Sequence, residues 1–219
     1  LWFSRGFSIV KVVPKMIGVL MNNFHVNFVK NSNSLAGSAV KTVIGTPFTH
    51  LNRVNSTNIY AMEQLQAKLA EHGAAFFADL QTAGKGQMGK KWESESGQNL
   101  LLSVILNVST LHIGHQFALS AAIALASWDL LSTYIPSELT IKWPNDIYHD
   151  GEKIAGILLE SVFKNNQHHI VVGIGLDNIY KLSRNELIAS IIRNIEDLIS
   201  EFELFNYDFS FVRREWLDN

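Results

Sequence analysis

Ile154-Ala155-Gly156-Ile157-Leu158-Leu159-Glu160-Ser161-Val162-Phe163, then Lys164-Asn165-Asn166-Gln167, then His168-His169-Ile170-Val171-Val172-Gly173-Ile174-Gly175-Leu176 is the stretch that decides the fold. Two runs rich in aliphatic and β-branched residues flank a short polar break, which predicts two strands joined as a hairpin. Upstream, Leu139 to Trp143 reads as a strand, Pro144-Asn145-Asp146 as a loop, and Asp150-Gly151 as the turn of another hairpin leading into Ile154. Successive hairpins require an antiparallel or mixed sheet with helices packed on it, an α+β fold, and exclude a doubly wound parallel sheet.

The rest of the pattern agrees with that class. Ser56 and Thr57 are good helix starts, and Met62, Leu65 and Leu69 recur at helical spacing until Gly73, a natural C-terminal cap. Ala74 to Leu80 is a short apolar and aromatic run, as is Leu100 to Val108, and both read as buried strands. Gln116 to Leu131 reads as a buried helix ended by Pro136, and Ser183 with Glu186 forms a capping box for a helix with the apolar stripe Leu187, Ile188, Ile191, Ile195, Leu198, Phe202. Residues 1–41, rich in Asn and Ser toward their end and without a clear period, are expected to be a tail or linker before a domain at 42–219.

Composition narrows the function classes. With 219 residues and 47% hydrophobic side chains, the chain can bury a sizeable core. Its 18 basic against 20 acidic residues give a formal charge of −2, so no general attraction to nucleic acid is expected and DNA is not an expected partner. Having no Cys, it is barred from disulfide scaffolds, Cys-ligated metals and thiol nucleophiles. Lys11 and Lys15 interrupt what would be the apolar core of a secretory signal, and no run approaches the roughly 18–20 apolar residues of a membrane span. A soluble, cytoplasmic chain with no membrane partner is expected. The His residues form no convincing metal set with Asp or Glu, so no structural metal is expected either.

Three constellations carry chemistry. Gly84-Lys85-Gly86-Gln87-Met88-Gly89-Lys90-Lys91-Trp92 follows a strand, and its glycines permit close backbone approach to an anion that Lys can neutralise. It lacks the Lys-Ser/Thr ending of a phosphate-binding P-loop, and alone it is equally well a flexible loop. Lys142-Trp143-Pro144-Asn145-Asp146 is followed by Lys153-Ile154-Ala155-Gly156-Ile157-Leu158, where Lys153 either aims a cation into a pocket above Gly156 or snorkels at a strand end. Gly173-Ile174-Gly175-Leu176-Asp177-Asn178 places two glycines on one strand face, as a flat floor for a ligand or as a packing requirement.

Taken in order, these segments resemble the biotin protein ligase family, in which a Gly- and Arg-rich loop ending in Trp precedes Lys-Trp-Pro-Asn-Asp, a Lys before Gly-Ile-Leu, and Gly-Ile-Gly-Leu. Ser56-Thr57-Asn58 also stands where that family has Ser-Thr-Asn. The resemblance runs from about Thr46 to Asn178, and it implies a fold similar to the class II aminoacyl-tRNA synthetase and biotin synthetase-like type. It implies a two-step reaction: biotin carboxylate attacks the α-phosphate of ATP to give biotinyl-AMP and pyrophosphate, and a Lys on a biotin carboxyl carrier protein or domain then takes the biotinyl group. Lys153 and Lys85 would be catalytic. Biotin would contact Ser56, Thr57, Asn58, Gln81, Gly84, Lys85, Gly86, Gln87, Lys153 and Gly156. ATP would contact Lys85, Gln87, Lys142, Asn145, Asp146 and Lys153, with Trp92 stacked on adenine and Asp146 placed to hold Mg²⁺. A homodimer is also implied, with the sheet edge after Phe163 as a contact.

The chain departs from the family pattern in places. Lys85 and Gln87 stand where Arg is usual, which removes fork geometry and, at Gln87, charge, so weaker retention of the intermediate is expected. Asp177-Asn178 passes almost directly into the Ser183 helix where the family has a longer segment, and lower nucleotide affinity is expected. No winged helix precedes the catalytic region and the sequence ends where a small C-terminal β domain would begin, so a repressor role is not expected. The alternatives are a lipoate or octanoate ligase of the same superfamily and a catalytically impaired biotin-binding remnant.

Overall fold

The computed structural model describes residues 9–10, 43–135, 139–177 and 181–204, without the side chains of 9, 10, 113 and 201–204. The strands are β1 (Ile9–Val10), β2 (Phe48–Leu51), β3 (Ala75–Ala78), β4 (Gly84–Lys85), β5 (Lys91–Trp92), β6 (Leu100–Asn107), β7 (Leu139–Lys142), β8 (Asp146–His149), β9 (Glu152–Lys164) and β10 (Gln167–Leu176). The helices are α1 (Thr57–Gln66), α2 (Gln116–Tyr134) and α3 (Arg184–Leu204). Eight strands form one sheet in the order β1-β7-β8-β9-β10-β6-β3-β2, and β4 with β5 forms a separate two-stranded ribbon. Among the described strand pairs only β2–β3 is parallel. The sheet is therefore mixed and largely antiparallel, as the hairpin pattern requires.

Both hairpins close through residues with left-handed backbone. Asp150 (φ 49°) and Gly151 (φ 82°) join β8 to β9, and Asn165 (φ 50°) and Asn166 (φ 61°) join β9 to β10. Paired positive φ values match the right-handed twist of the flanking strands, and Asn, Asp and Gly adopt them at least cost. The long β9–β10 ladder then pairs Gly156 with Gly175 and Leu158 with Gly173.

One face of the sheet carries α2 and α3, whose buried Leu119, Ile123, Leu131, Leu187, Ile191 and Ile195 join Leu102, Val104, Ile157, Val172 and Ile174 in the larger core. Each such side chain contributes about 1.5–3 kcal/mol when fully buried. Phe202 of the expected α3 stripe lies outside the described side chains. The opposite face carries α1, whose Ala61 and Leu65 pack with Phe76, Ile105, Val162 and Val171. Helix α2 is 19 residues long and apolar enough to cross a membrane, but half of it is buried against the sheet and α3, as a core helix is.

The described residues bear on three expectations. Helix α1 stops at Gln66 rather than near Gly73, because Lys68 turns left-handed (φ 62°) and its N–H and that of Leu69 close back on the carbonyls of Leu65 and Gln64. This is a Schellman ending, and it leaves Leu69 exposed. Within residues 1–41, expected to be a tail or linker, Ile9 and Val10 pair with Lys142 and Ile141 as the edge of the sheet, and the remainder of that stretch lies outside the described residues. The edge near Phe163, expected as a dimer contact, is part of β9: β8 pairs β9 only up to Gly156, and beyond it β9 has no strand neighbour on that side among the described residues.

Near the β9–β10 turn, His168 stacks on Phe163 (4.5 Å between centroids) and His169 is buried. Burial lowers both pKa values below 6.5; at His169, Lys164, His72 and His168 oppose its charging further, against a hydrogen bond with the Gln167 backbone. A histidine harder to protonate when folded contributes nothing adverse above its unfolded value and costs stability as pH falls below 6.5 toward the lower folded value. The urea midpoint is therefore expected to fall between about pH 7.5 and about pH 5.5, and to fall less in His169→Gln.

Candidate functional site

The N-terminus of α1 meets the glycine-bearing ends of β9 and β10 beneath the β4–β5 ribbon. Ser56 occupies the N-cap position without a side-chain cap bond. Gln81 acts in its place: its Oε1 accepts from the Thr57 N–H (2.7 Å) and the Thr57 hydroxyl (3.1 Å). Backbone bonds from Thr82 and Ala83 to the carbonyls of Val54 and Asn55 stitch the two segments together. Behind them Ser103, fully buried in β6, donates to Asn58 Oδ1 (2.6 Å) and is hydrogen-bonded to the Thr57 hydroxyl (2.8 Å). Asn58 Nδ2 donates to Glu160 Oε2 (2.9 Å), so both ends of this amide are engaged within the protein.

Two adjoining cavities open here. The inner one is lined by Ser56, Thr57, Asn58, Gln81, Lys85 and Gly173, among others, and has about 40 Å³ of free space. That is room for roughly three waters, since one needs about 10–15 Å³. The outer cleft, about 460 Å³, is lined by residues that include Lys90, Lys142, Asp146, Tyr148 and Asp177. Gly86, Gln87, Trp92, Asn145 and Lys153 line both. The shared wall therefore carries a cation.

Trp92 accounts for the small inner volume. A Cβ on Gly175 would lie 2.4 Å from the Trp92 ring and one on Gly156 would lie 3.0 Å from it, so the indole rests where these paired glycines leave no side chains. Lys153 Nζ stands 5.4 Å from the ring centroid and 2.7 Å from Asp146 Oδ1. The glycine floor expected for a ligand is thus covered by Trp92 over Gly175, and Asn58 packs over Gly173. A bicyclic ligand of the inner cavity needs the Trp92 ring to turn off this floor.

Nearly all the residues singled out from sequence converge here, with qualifications. Gly84 does not line the inner cavity; a Cβ there would strike the Trp92 carbonyl at 2.5 Å, so its bareness permits the β4–β5 pairing. Lys85 lines the inner cavity but not the outer cleft, and pairs with Glu160 at 3.7 Å. Asn145 lines both, yet its Nδ2 donates to the Ile157 carbonyl (2.9 Å) and its own carbonyl accepts from the Ile157 N–H, pinning the Trp-Pro-Asn turn to β9. Lys142 lies over the Tyr148 ring at 5.6 Å. Sequence reasoning missed Ser103, Glu160 and Asn99. A lone Ser in the apolar run of β6 was the available signal for the first, and strand alternation from Gly156 through Leu158 to residue 160 for the second.

At the outer cleft Asp177 accepts from Asn99 Nδ2 (2.5 Å), while Asn99 Oδ1 takes the Glu95 N–H. Burial raises the Asp177 pKa, with the Asn99 hydrogen bond and Lys153 opposing. Asp146 is held by Lys153, and no cluster of three or more His, Asp or Glu able to hold a metal exists among the described residues. The donor set fits Mg²⁺ only as an ion that draws most of its ligands from nucleotide phosphates and water, with Asp146 adding one oxygen.

Residues 50–177 match the family model described as Biotin/lipoate A/B protein ligase. The chain belongs to that family. It is 29% identical over 187 residues to the bifunctional ligase/repressor BirA of Escherichia coli, covering 76% of this chain and 57% of that protein. It is 33% identical over 128 residues to the biotin–[acetyl-CoA-carboxylase] ligase of Mycobacterium tuberculosis, covering 57% and 47%. A solved structure of the biotin protein ligase from Aquifex aeolicus in complex with biotin and ATP superimposes with a TM-score of 0.59 at 26% identity over 70% of each chain. The chain spans about half the length of the curated relatives it matches. This likeness accords with the α+β sheet and helices described above.

Proposed function

We propose that this chain is the catalytic domain, residues 42–219, of an ATP-dependent biotin protein ligase that makes biotinyl-AMP and passes biotin to a Lys of a biotin carboxyl carrier domain in the cytoplasm. The observation that carries the reading is the pair of joined cavities whose common wall holds Lys153. One cavity offers hydroxyl and amide partners for a neutral head group, and the other offers Lys90, Lys142 and room for a nucleotide. In the first step a biotin carboxylate oxygen attacks the α-phosphorus and pyrophosphate leaves. In the second a Lys amine attacks the acyl carbon, AMP leaves, and the amine loses its proton. Negative charge develops on oxygen in both steps, and Lys153, held by Asp146 on the common wall, is the cation that supports the reading.

Biotin's ureido group needs donors and acceptors, and Gln81, with its Oε1 used by Thr57, keeps its N–H donors for the ureido carbonyl. Asn58, bound at both ends, shapes the pocket rather than reading the ligand. Trp92 turns off its glycine floor to admit biotin and covers the adenylate once it has formed, excluding water. The edge of β9 beyond Ile157, whose own N–H and carbonyl are taken by Asn145, has no strand neighbour among the described residues on the side away from β10 and offers backbone to a second copy, which favours a homodimer.

The decisive test is biotin-dependent exchange of pyrophosphate with ATP. Exchange with biotin and none with lipoate is expected. The ligase reading fails if no exchange occurs under saturating biotin, and exchange with lipoate alone assigns the other branch of the family.

A further inference from the structure

Glu160 belongs to none of the residue sets that the resemblance assigns, yet it joins two parts of the site. It lies on β9 on the same strand face as Gly156 and Leu158. Its Oε2 accepts from Asn58 Nδ2 at 2.9 Å, and its Oε1 lies 3.7 Å from Lys85 Nζ. Asn58 belongs to the rigid side of the site, since Ser103, with no exposure, fixes its Oδ1 at 2.6 Å and Gly173 leaves room for its amide. Lys85 belongs to the β4–β5 ribbon, which is not part of the main sheet and whose connection holds two left-handed residues, the exposed Met88 (φ 54°) and Gly89 (φ 76°). One carboxylate therefore bridges the fixed head-group pocket and the ribbon that carries a candidate catalytic cation.

We infer that Glu160 is a positioning residue that holds Lys85 over the pocket and fixes the Asn58 amide, so that ribbon closure and head-group recognition occur as one event. The consequence for the reaction rests on the ligase reading; the mechanical part does not. A carboxylate suits this post better than an amide. Its two oxygens accept from both partners at once and its charge draws the ammonium, whereas glutamine keeps an acceptor for Asn58 and loses the attraction for Lys85. Alanine removes both, and leaves Asn58 Nδ2 with only the Leu158 carbonyl at 3.5 Å.

Hydrogen–deuterium exchange on the ligand-free chain tests the mechanical part. Glu160→Gln is expected to speed amide exchange in Gly84–Trp92 about two- to fivefold, the scale of a partly exposed ion pair, and to leave β6 and β10 unchanged. Lys85→Ala should give the same acceleration, and the double variant no more than either alone. Unchanged exchange in the ribbon, or additive effects in the double variant, overturns the inference. Kinetics test the coupling. Glu160→Gln should raise the KM for biotin by a similar factor with kcat and the KM for ATP within about twofold, and Glu160→Ala should raise it about tenfold, as for a buried donor left without a full partner. A purely structural Glu160 would instead lower the thermal midpoint and leave the KM for biotin in place, which refutes the coupling. An inactive wild type with the expected exchange pattern would count against the ligase reading and leave the positioning role standing.

Discussion

Lys153→Ala is expected to lower biotin-dependent pyrophosphate exchange by about 10²-fold or more, the scale of losing one preorganised donor to developing oxyanion charge. Lys153 lies on the wall common to both cavities, within 2.7 Å of Asp146 and 5.4 Å of the Trp92 ring centroid. Its side chain is 36% exposed and that of Asp146 is 20% exposed, so their ion pair contributes at most about 1 kcal/mol to folding. The loss should therefore appear in kcat and hardly in the thermal midpoint. Lys153→Gln sharpens the comparison, because it retains hydrogen-bond donors for Asp146 without the charge. If the charge is what acts, the Gln variant is as slow as the Ala variant and as stable as the wild type. Near-normal exchange in the Ala variant would mean that Lys153 only snorkels from the strand end, the simpler reading of its sequence context, and near-normal exchange in the Gln variant alone would mean that its hydrogen bonds act rather than its charge.

What the sequence disclosed and what it concealed follow from the range of the interactions involved. The two hairpins were legible because the β-branched runs, Asp150-Gly151 and the polar break from Lys164 to Gln167 are all local, and the backbone at Asp150, Gly151, Asn165 and Asn166 is left-handed as such turns require. The end of α1 was not legible: apolar spacing continues through Leu69, and nothing about a lysine announces the left-handed turn at Lys68. The strand at Ile9–Val10 was hidden for another reason, since two residues are too few to show a period. Within the site, Gly173 and Gly175 were legible as empty space above a strand, but not what fills it, because Asn58 and Trp92 are brought there by elements far away in the chain. Asn145 and Asn58 look alike as candidate ligand contacts. Only the fold shows that one is spent on the Ile157 carbonyl and the other on Ser103 and Glu160, partners between 12 and 102 positions away.

Gly173→Ala is expected to have the second largest effect, raising the KM for biotin about tenfold or more and lowering the thermal midpoint. A Cβ at this position would lie 2.4 Å from Asn58 Oδ1 and 2.9 Å from both Asn58 Cγ and Nδ2. Asn58 has no room to yield, being 3% exposed and bound to Ser103 at 2.6 Å and Glu160 at 2.9 Å. Either the amide rotates and both bonds break, or β10 moves away from α1 and the Leu158–Gly173 register opens. Overpacking of this kind costs about 1–3 kcal/mol, and a buried polar atom left unpaired costs about 1–3 kcal/mol more. The KM for ATP should change less, because Gly173 lines the inner cavity and not the outer cleft. Asn58→Ala in the same chain isolates the cause. If the clash with Asn58 is responsible, the double variant is no less stable than Asn58→Ala alone, a coupling expected of residues in direct contact. Additive losses would instead trace the effect to the β10 backbone, and an unchanged KM for biotin would show that the Asn58 amide does not govern the shape of the inner pocket.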